Sequence, residues 1–202
     1  MKEKIIHKSA ELFLEYGFKS VTMDEIASEL AVSKKTIYTY FNNKTHLVEC
    51  VGEFVKDQIH EEIDLVIAKE LNPIEELYEI KRTVMKRLKD EKSSPQYQME
   101  KYYPELYKRL RQSQFEKMLT CVQKNVDRGI NEGWYREEIH RIFTTRIYIA
   151  GMFNLKDEAF FKATDLSQKQ LYEEFLNYHM RSIVTEQGLE RLKEIEKTND
   201  DE

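Results

Sequence analysis

Glycine and proline are scarce in this 202-residue chain, at six and three, and it has only two cysteines and one tryptophan. So few turn-formers exclude collagen-like and low-complexity classes, and they argue against a β-sandwich, which needs a turn every 8–12 residues or so. Cys50 and Cys121 lie far apart and outside any CxxC spacing, so no disulfide scaffold is available and both read as reduced core thiols. The longest uncharged stretch, Ile147–Leu155, is nine residues, whereas a membrane-spanning helix needs about 20. Met1–Lys8 lack the apolar block of a secretory signal, so a cytoplasmic location is expected. HExxH, GxSxG and a glycine-rich phosphate loop are also missing. Nothing in the sequence points to an enzyme or a cofactor.

What is present is helical patterning on a 41% hydrophobic, 34% charged background. A chain of this length buries roughly 70% of its unfolded surface, enough for a real core. Ile5, Ile6, Ala10, Phe13 and Leu14 recur at helical spacing before Gly17. Thr22 to Glu25 has the form of a capping box, and Ser33 can cap the next short helix. Asn43 can cap a long helix to about Leu71, and Asn72-Pro73 reads as cap and first residue of another, to about Asp90. Lys92 to Pro95 is the clearest break, followed by an aromatic stretch, Tyr97 to Tyr103. Further helices are expected from Pro104 to Gly133, from Glu138 to Leu155, and from the Ser167 capping box to near Gly188. The tail from Leu189 is expected to add an amphipathic turn or two, with Asn199 to Glu202 frayed. The fold class is all-α, with about nine helices.

Net charge is −5, yet no Asp or Glu lies between Leu30 and Val48, where Lys34, Lys35 and Lys44 fall. The span Thr22–Lys44 has helix-turn-helix dimensions. Ile26, Ala27, Leu30, Val32, Ile37 and Phe41 would pack it, leaving Lys34, Lys35, Thr36, Thr39 and Tyr40 outward. Lysines reach guanine edges and a threonine methyl meets a thymine methyl. Hydroxyls of Thr36, Tyr38 and Tyr40 suit phosphate oxygens, and Lys44 adds its charge to the positive start of a helix.

Thr22-Met23-Asp24-Glu25-Ile26-Ala27, then Ala31 through Phe41, and Lys44 resemble the DNA-binding domain of the tetracycline-repressor (TetR) family. Its pattern is roughly T-x-x-x-I-A-x-x-x-G-V-S-x-x-T-x-Y-x-Y-F-x-x-K, and the resemblance covers about Lys2 to Leu47. Ala31 departs from it, standing where the family usually has glycine, and Lys35 replaces a frequent small residue. The resemblance implies a helix-turn-helix DNA-binding domain over 1–46, a ligand-binding and dimerisation helical domain over 47–188 and a C-terminal tail over 189–202. It implies DNA contacts by Thr22, Lys34, Lys35, Thr36, Tyr38, Thr39, Tyr40 and Lys44. The implied partners are a double-stranded DNA operator, a second copy of the chain and an unidentified small-molecule effector.

Aromatics make up 11% of the chain. Met99, Tyr102, Tyr103, Phe115, Met118, Trp134, Phe143, Tyr148 and Met152 are candidates to line an effector cavity, and as a group they favour an apolar or aromatic ligand. Ile147, Gly151, Leu171, Phe175, Tyr178 and Ile183, on the two helices that correspond in order to the family's dimerising pair, are candidates for the dimer interface. Glu137-x-x-His140 and Asp57-x-x-His60 echo di-iron bundle spacing, but further inward carboxylates are missing from the pattern and no metal is expected. Two other readings remain open: a DNA-binding regulator whose second domain receives a protein, and a helical carrier or metal bundle that does not bind DNA.

Overall fold

The computed structural model describes residues 1–88, 95–155, 161 and 166–200. Among these, ten helices are present: α1 (Lys2–Tyr16), α2 (Met23–Glu29), α3 (Lys34–Tyr40), α4 (Lys44–Ile67), α5 (Pro73–Leu88), α6 (Pro95–Tyr102), α7 (Pro104–Asn131), α8 (Arg141–Asn154), α9 (Gln168–Ile183) and α10 (Glu186–Asp200). The chain packs as two compact units, residues 1–61 with 87–114, and residues 62–86 with 115–202. The first unit therefore includes α6 and the start of α7, well beyond the expected 1–46.

The capping chemistry accounts for most boundaries. Asn43 Oδ1 accepts from His46 N at 2.8 Å to start α4, and Asn72 Oδ1 accepts from Ile74 N and Glu75 N to start α5. The expected run of α4 to Leu71 is corrected to Ile67, because Glu70 adopts a left-handed backbone (φ 51°) that ends the helix. The expected end of α5 near Asp90 and residues 92–94 of the expected break lie outside the described residues, as do Asp201 and Glu202.

Four elements after α5 differ from, or extend, the expectations. The aromatic stretch before Pro104 is itself a helix, α6. α8 starts at Arg141, three residues later than expected, because His140 Nδ1 caps it by accepting from Phe143 N. α9 stops at Ile183, five residues short of Gly188, because Val184 is extended and pairs with Tyr135 in an isolated antiparallel bridge. Arg136 N donates to Ile183 O and Thr185 N to Trp134 O across that bridge. The amphipathic turn or two expected from Leu189 is a longer helix, α10, held by Leu192, which is fully buried in the second unit's core with Leu189 and Ile195 packed nearby. Leucines and isoleucine three apart put one face of that helix inward.

In the first unit Ile5, Phe13, Ile26, Ile37, Phe41, Leu47 and Val48 are fully buried together. Met99, Tyr103 and Leu110 pack against this core and Leu106 belongs to it. Gly17 (φ 81°) lets the Gln98 side chain approach, so that Lys19 N donates to Gln98 Oε1 at 3.0 Å. In the second unit a polar chain crosses the core. Tyr135 Oη donates to Asn125 Oδ1, Asn125 Nδ2 donates to Glu76 Oε1 and Pro73 O, and Arg128 meets Glu76 Oε2 at 3.0 Å. Glu76 and Asn125 are buried, and a buried charge without such partners would be strongly destabilising.

The turn between α2 and α3 has the hydrogen bonding of a Schellman motif: Val32 N donates to Ala27 O and Ala31 N to Ser28 O, both at 3.0 Å. The motif requires a left-handed residue, and Ala31 supplies it at φ 52°. A left-handed alanine costs roughly 1–2 kcal/mol, part of which glycine would return to the unfolded state as entropy. Ala31→Gly is therefore expected to stabilise the protein by about 1 kcal/mol in urea unfolding, with its helix content unchanged by circular dichroism.

Candidate nucleic-acid interface

The interface is built on how α2 and α3 are fixed. Thr22 Oγ1 accepts from Glu25 N at 3.2 Å, and the Glu25 carboxylate accepts from Thr22 N at 2.6 Å, a complete capping box. Val21, just before the cap, is buried in the same cluster as Ile26 and works as a hydrophobic staple. Ser33 Oγ then caps α3 by accepting from Thr36 N at 3.1 Å. α3 buries Ile37, while Phe41 closes its end and Leu30 and Val32 pack the turn. The packing residues expected from the sequence are the ones that the structure buries or half-buries.

On α3 Lys34, Lys35, Tyr38, Thr39 and Tyr40 are exposed, and Thr36 is half-buried. Thr36 Oγ1 lies 2.9 Å from Ser33 Oγ, and Thr39 Oγ1 donates back to Lys35 O at 3.0 Å. Each hydroxyl thus already has a partner within the helix. Lys44 is half-buried at the first turn of α4, and burial pushes its ammonium below the usual lysine range. Thr22 is exposed at the start of α2.

One acidic residue on this face was not anticipated. Asp24 Oδ2 accepts from Lys34 Nζ at 2.7 Å, with both side chains exposed. Ten residues of separation make no helical pair, and only the turn at Ala31 brings them together. No sequence periodicity could have signalled it.

The description "Bacterial regulatory proteins, tetR family" matches residues 5–51. The likeness to that family lies in the N-terminal segment, residues 5–51. An uncharacterized HTH-type transcriptional regulator, YvaF of Bacillus subtilis, is 35% identical over 78 residues, 38% of this chain and 40% of that protein. The negative transcriptional regulator of the biofilm operon icaADBC, IcaR of Staphylococcus aureus, is 37% identical over 49 residues, 24% of this chain and 26% of its own. The chain thus spans two fifths or less of the length of these curated relatives. A TetR-family transcriptional regulator from Marinobacter aquaeolei shares the fold over 98% of both chains, with a TM-score of 0.71 at 19% identity.

The rest of the fold separates the other candidates. Met99 and Tyr103 pack on the first unit's core, and Tyr102 is exposed there with Lys19 and Lys101 over its ring. These three, expected to line a cavity of the second domain, belong to the first unit. Phe143 is corrected as well, since it is 64% exposed. It lies four residues before Ile147 on the α8 face opposite the buried Thr144, Thr145, Tyr148 and Ile149. What the second unit does group is Phe115, Met118, Trp134 and Met152, half-buried against a core that contains Tyr148. Tyr148 stacks on Phe175 and tilts against His179, with centroids 5.8 and 4.7 Å apart.

Of the interface candidates, Leu171 and Ile183 are buried in the chain's own cores and are corrected on that ground. Gly151 has an intrachain reason: a Cβ there would fall inside the Phe175 ring, so the glycine seats α9 against α8. Ile147 (49% exposed) and Tyr178 (73%) remain outward. Ile142 and Phe143 on α8 are exposed as well. Of the residues in the two metal-like spacings, His140 caps α8 and Asp57 pairs with Lys56 at 3.1 Å. Among the described residues no helix is long and apolar enough to cross a membrane.

His179 is only 4% exposed, and its Nε2 has no hydrogen-bond partner among the described residues. Burial lowers its pKa from 6.5 to about 4, so the folded ring stays neutral where an unfolded one would protonate. The unfolded state then binds more protons between those values, and stability is lost as pH falls from 6.5 towards 4, by about 3 kcal/mol in all. His179→Phe keeps a ring against Tyr148 and is expected to flatten this slope in urea unfolding measured from pH 7 to pH 4.5.

Proposed function

We propose that the chain is a dimeric, sequence-specific DNA-binding regulator that acts as a repressor and leaves its operator when a small apolar or aromatic effector binds. The observation that carries this reading is the exposed face of α3, a helix with no acid of its own, fixed by two caps and a Schellman turn in a segment that matches the tetR family. A helix held this way enters a major groove while α2 braces it. Lys34 and Lys35 are assigned to base edges, and Thr22, Thr36, Tyr38, Tyr40 and Lys44 to phosphates, with the Thr39 methyl towards a thymine. The name of the S. aureus relative, a negative regulator, supports repression.

Dimerisation is supported by the exposed apolar side chains Ile142, Phe143, Ile147 and Tyr178 on α8 and α9, since grouped apolar surface marks interaction sites. Two copies joined there would present two α3 helices to the two half-sites of a pseudo-palindrome. An effector acts by its differential affinity for conformations with right and wrong spacing. Support for a sensor is the group of Phe115, Met118, Trp134 and Met152 around Tyr148 in the second unit.

The test is binding of a duplex selected from a random library, followed by anisotropy across a salt series. Log affinity is expected to fall with log salt by about 0.9 per phosphate contacted. Lys35→Ala should relax the preference at one base position by roughly 1–3 kcal/mol, while Tyr40→Phe and Lys44→Ala weaken all duplexes alike. Phe143→Glu should yield monomers in sedimentation and lose tight binding. Salt-insensitive binding, or specific binding by a monomer, overturns the reading.

The sensor is tested by titrating a panel of hydrophobic compounds against Trp134, the sole tryptophan. Its fluorescence is expected to change over the same concentrations that release the duplex. A panel silent in both signals would turn the reading towards a protein partner.

A further inference from the structure

Asp24 is the carboxylate that the fold places against the recognition helix. It occupies the first turn of α2, Lys34 the first residue of α3, and the two meet at 2.7 Å. Neighbouring bonds make the meeting specific: the capping box fixes α2's first turn, Ser33 fixes α3's, and the left-handed Ala31 sets the angle between them. The Asp24 hydrogen bond is also the main reason that the Lys34 ammonium holds its proton more tightly than usual. Glu25, the next acidic residue, is engaged with Thr22 N and does not compete for Lys34.

The pair has two consequences at a nucleic-acid surface. Lys34 carries a compact charge on a flexible stem, and alone it would serve any phosphate within reach. Closed on Asp24, it is held in one place with its charge offset. An acceptor that hydrogen-bonds the same ammonium in this position lies within about 6 Å of the Asp24 oxygen, summing two such bonds. At that range the carboxylate repels a phosphate. Being exposed, the pair is weak and opens readily to a better acceptor.

We propose that Asp24 is a specificity-determining, positioning residue: it restrains Lys34 on arbitrary DNA and yields it only where the sequence offers a well-placed acceptor. Resting on the DNA-binding reading above, the inference adds a repulsive element that lowers general affinity more than operator affinity, which is how specificity ratios are widened. Asp24 acts through Lys34, and it need not touch DNA.

The experiment uses the full chain, a duplex selected by the wild-type protein and a scrambled duplex of equal length, with anisotropy titrations across a salt series. Asp24→Asn keeps the shape and removes the charge. It is expected to bind the scrambled duplex about 3–10-fold tighter, to steepen the salt dependence by about one phosphate contact and to narrow the specificity ratio by a similar factor. Asp24→Glu should restore most of the wild-type ratio. In a Lys34→Ala background, Asp24→Asn should shift scrambled-duplex affinity by less than twofold. An equal gain with and without Lys34 would show that Asp24 acts on DNA directly and would overturn the inference. Parallel loss of both affinities with a lower unfolding midpoint would also overturn it, by making Asp24 merely structural. If the wild-type chain selects no duplex, the DNA-binding reading itself fails and takes this inference with it.

Discussion

The geometry of the candidate interface depends on one backbone residue, Ala31, held left-handed between α2 and α3. Val32 N to Ala27 O and Ala31 N to Ser28 O close the turn, and Val32 packs back on the cluster that holds Ile26 and Ala27. Together these fix where α3 leaves α2, and therefore which side chains share a surface. The strain of a left-handed alanine is offset locally by two backbone hydrogen bonds and a hydrophobic contact. Lys34 and Asp24 meet only because of this turn.

Around it, charge and burial are divided between different tasks. α2 carries Asp24 and Glu25 at its positive end, which favours the helix electrostatically, while α3 has no acid in its first turn and turns lysines outward. The surface offered to a polyanion is thus small and basic on a protein whose net charge is −5. Its underside is apolar, and the α6–α7 residues Met99, Tyr103, Leu106 and Leu110 complete it. A helix-turn-helix of some 46 residues is too small to bury a full core alone, and here later segments of the chain supply the missing contacts.

The second unit is organised differently. Its core carries a polar chain through Glu76, Asn125, Tyr135 and Arg128, alongside the stacked group of Tyr148, Phe175 and His179. Each polar member of the chain is positioned by a partner on another element, which narrows the ways in which those helices can pack. The Tyr135–Val184 bridge and the burial of Leu192 lock the last helix onto the same core. His179 is the exception, kept neutral by burial and left with an unpartnered Nε2 among the described residues.

The sequence by itself determined the all-α class, the caps that start α2 to α5, and most of the residues turned outward on α3. Those features follow from short-range rules: a cap three residues from its donor, an apolar residue every three or four, an acid-free window around three lysines. It could not assign partners to faces. Phe143 and Met99 look alike as apolar helix residues, yet one is exposed and the other completes a core in the first unit. Leu171 and Ile183 have the spacing of an interface stripe and are buried within their own chain. α6, the early end of α9 and the docking of α10 likewise depended on contacts between residues far apart in sequence, such as Lys19 with Gln98 and Tyr135 with Val184. Periodicity says which side of a helix is apolar, but only the tertiary structure decides what covers it.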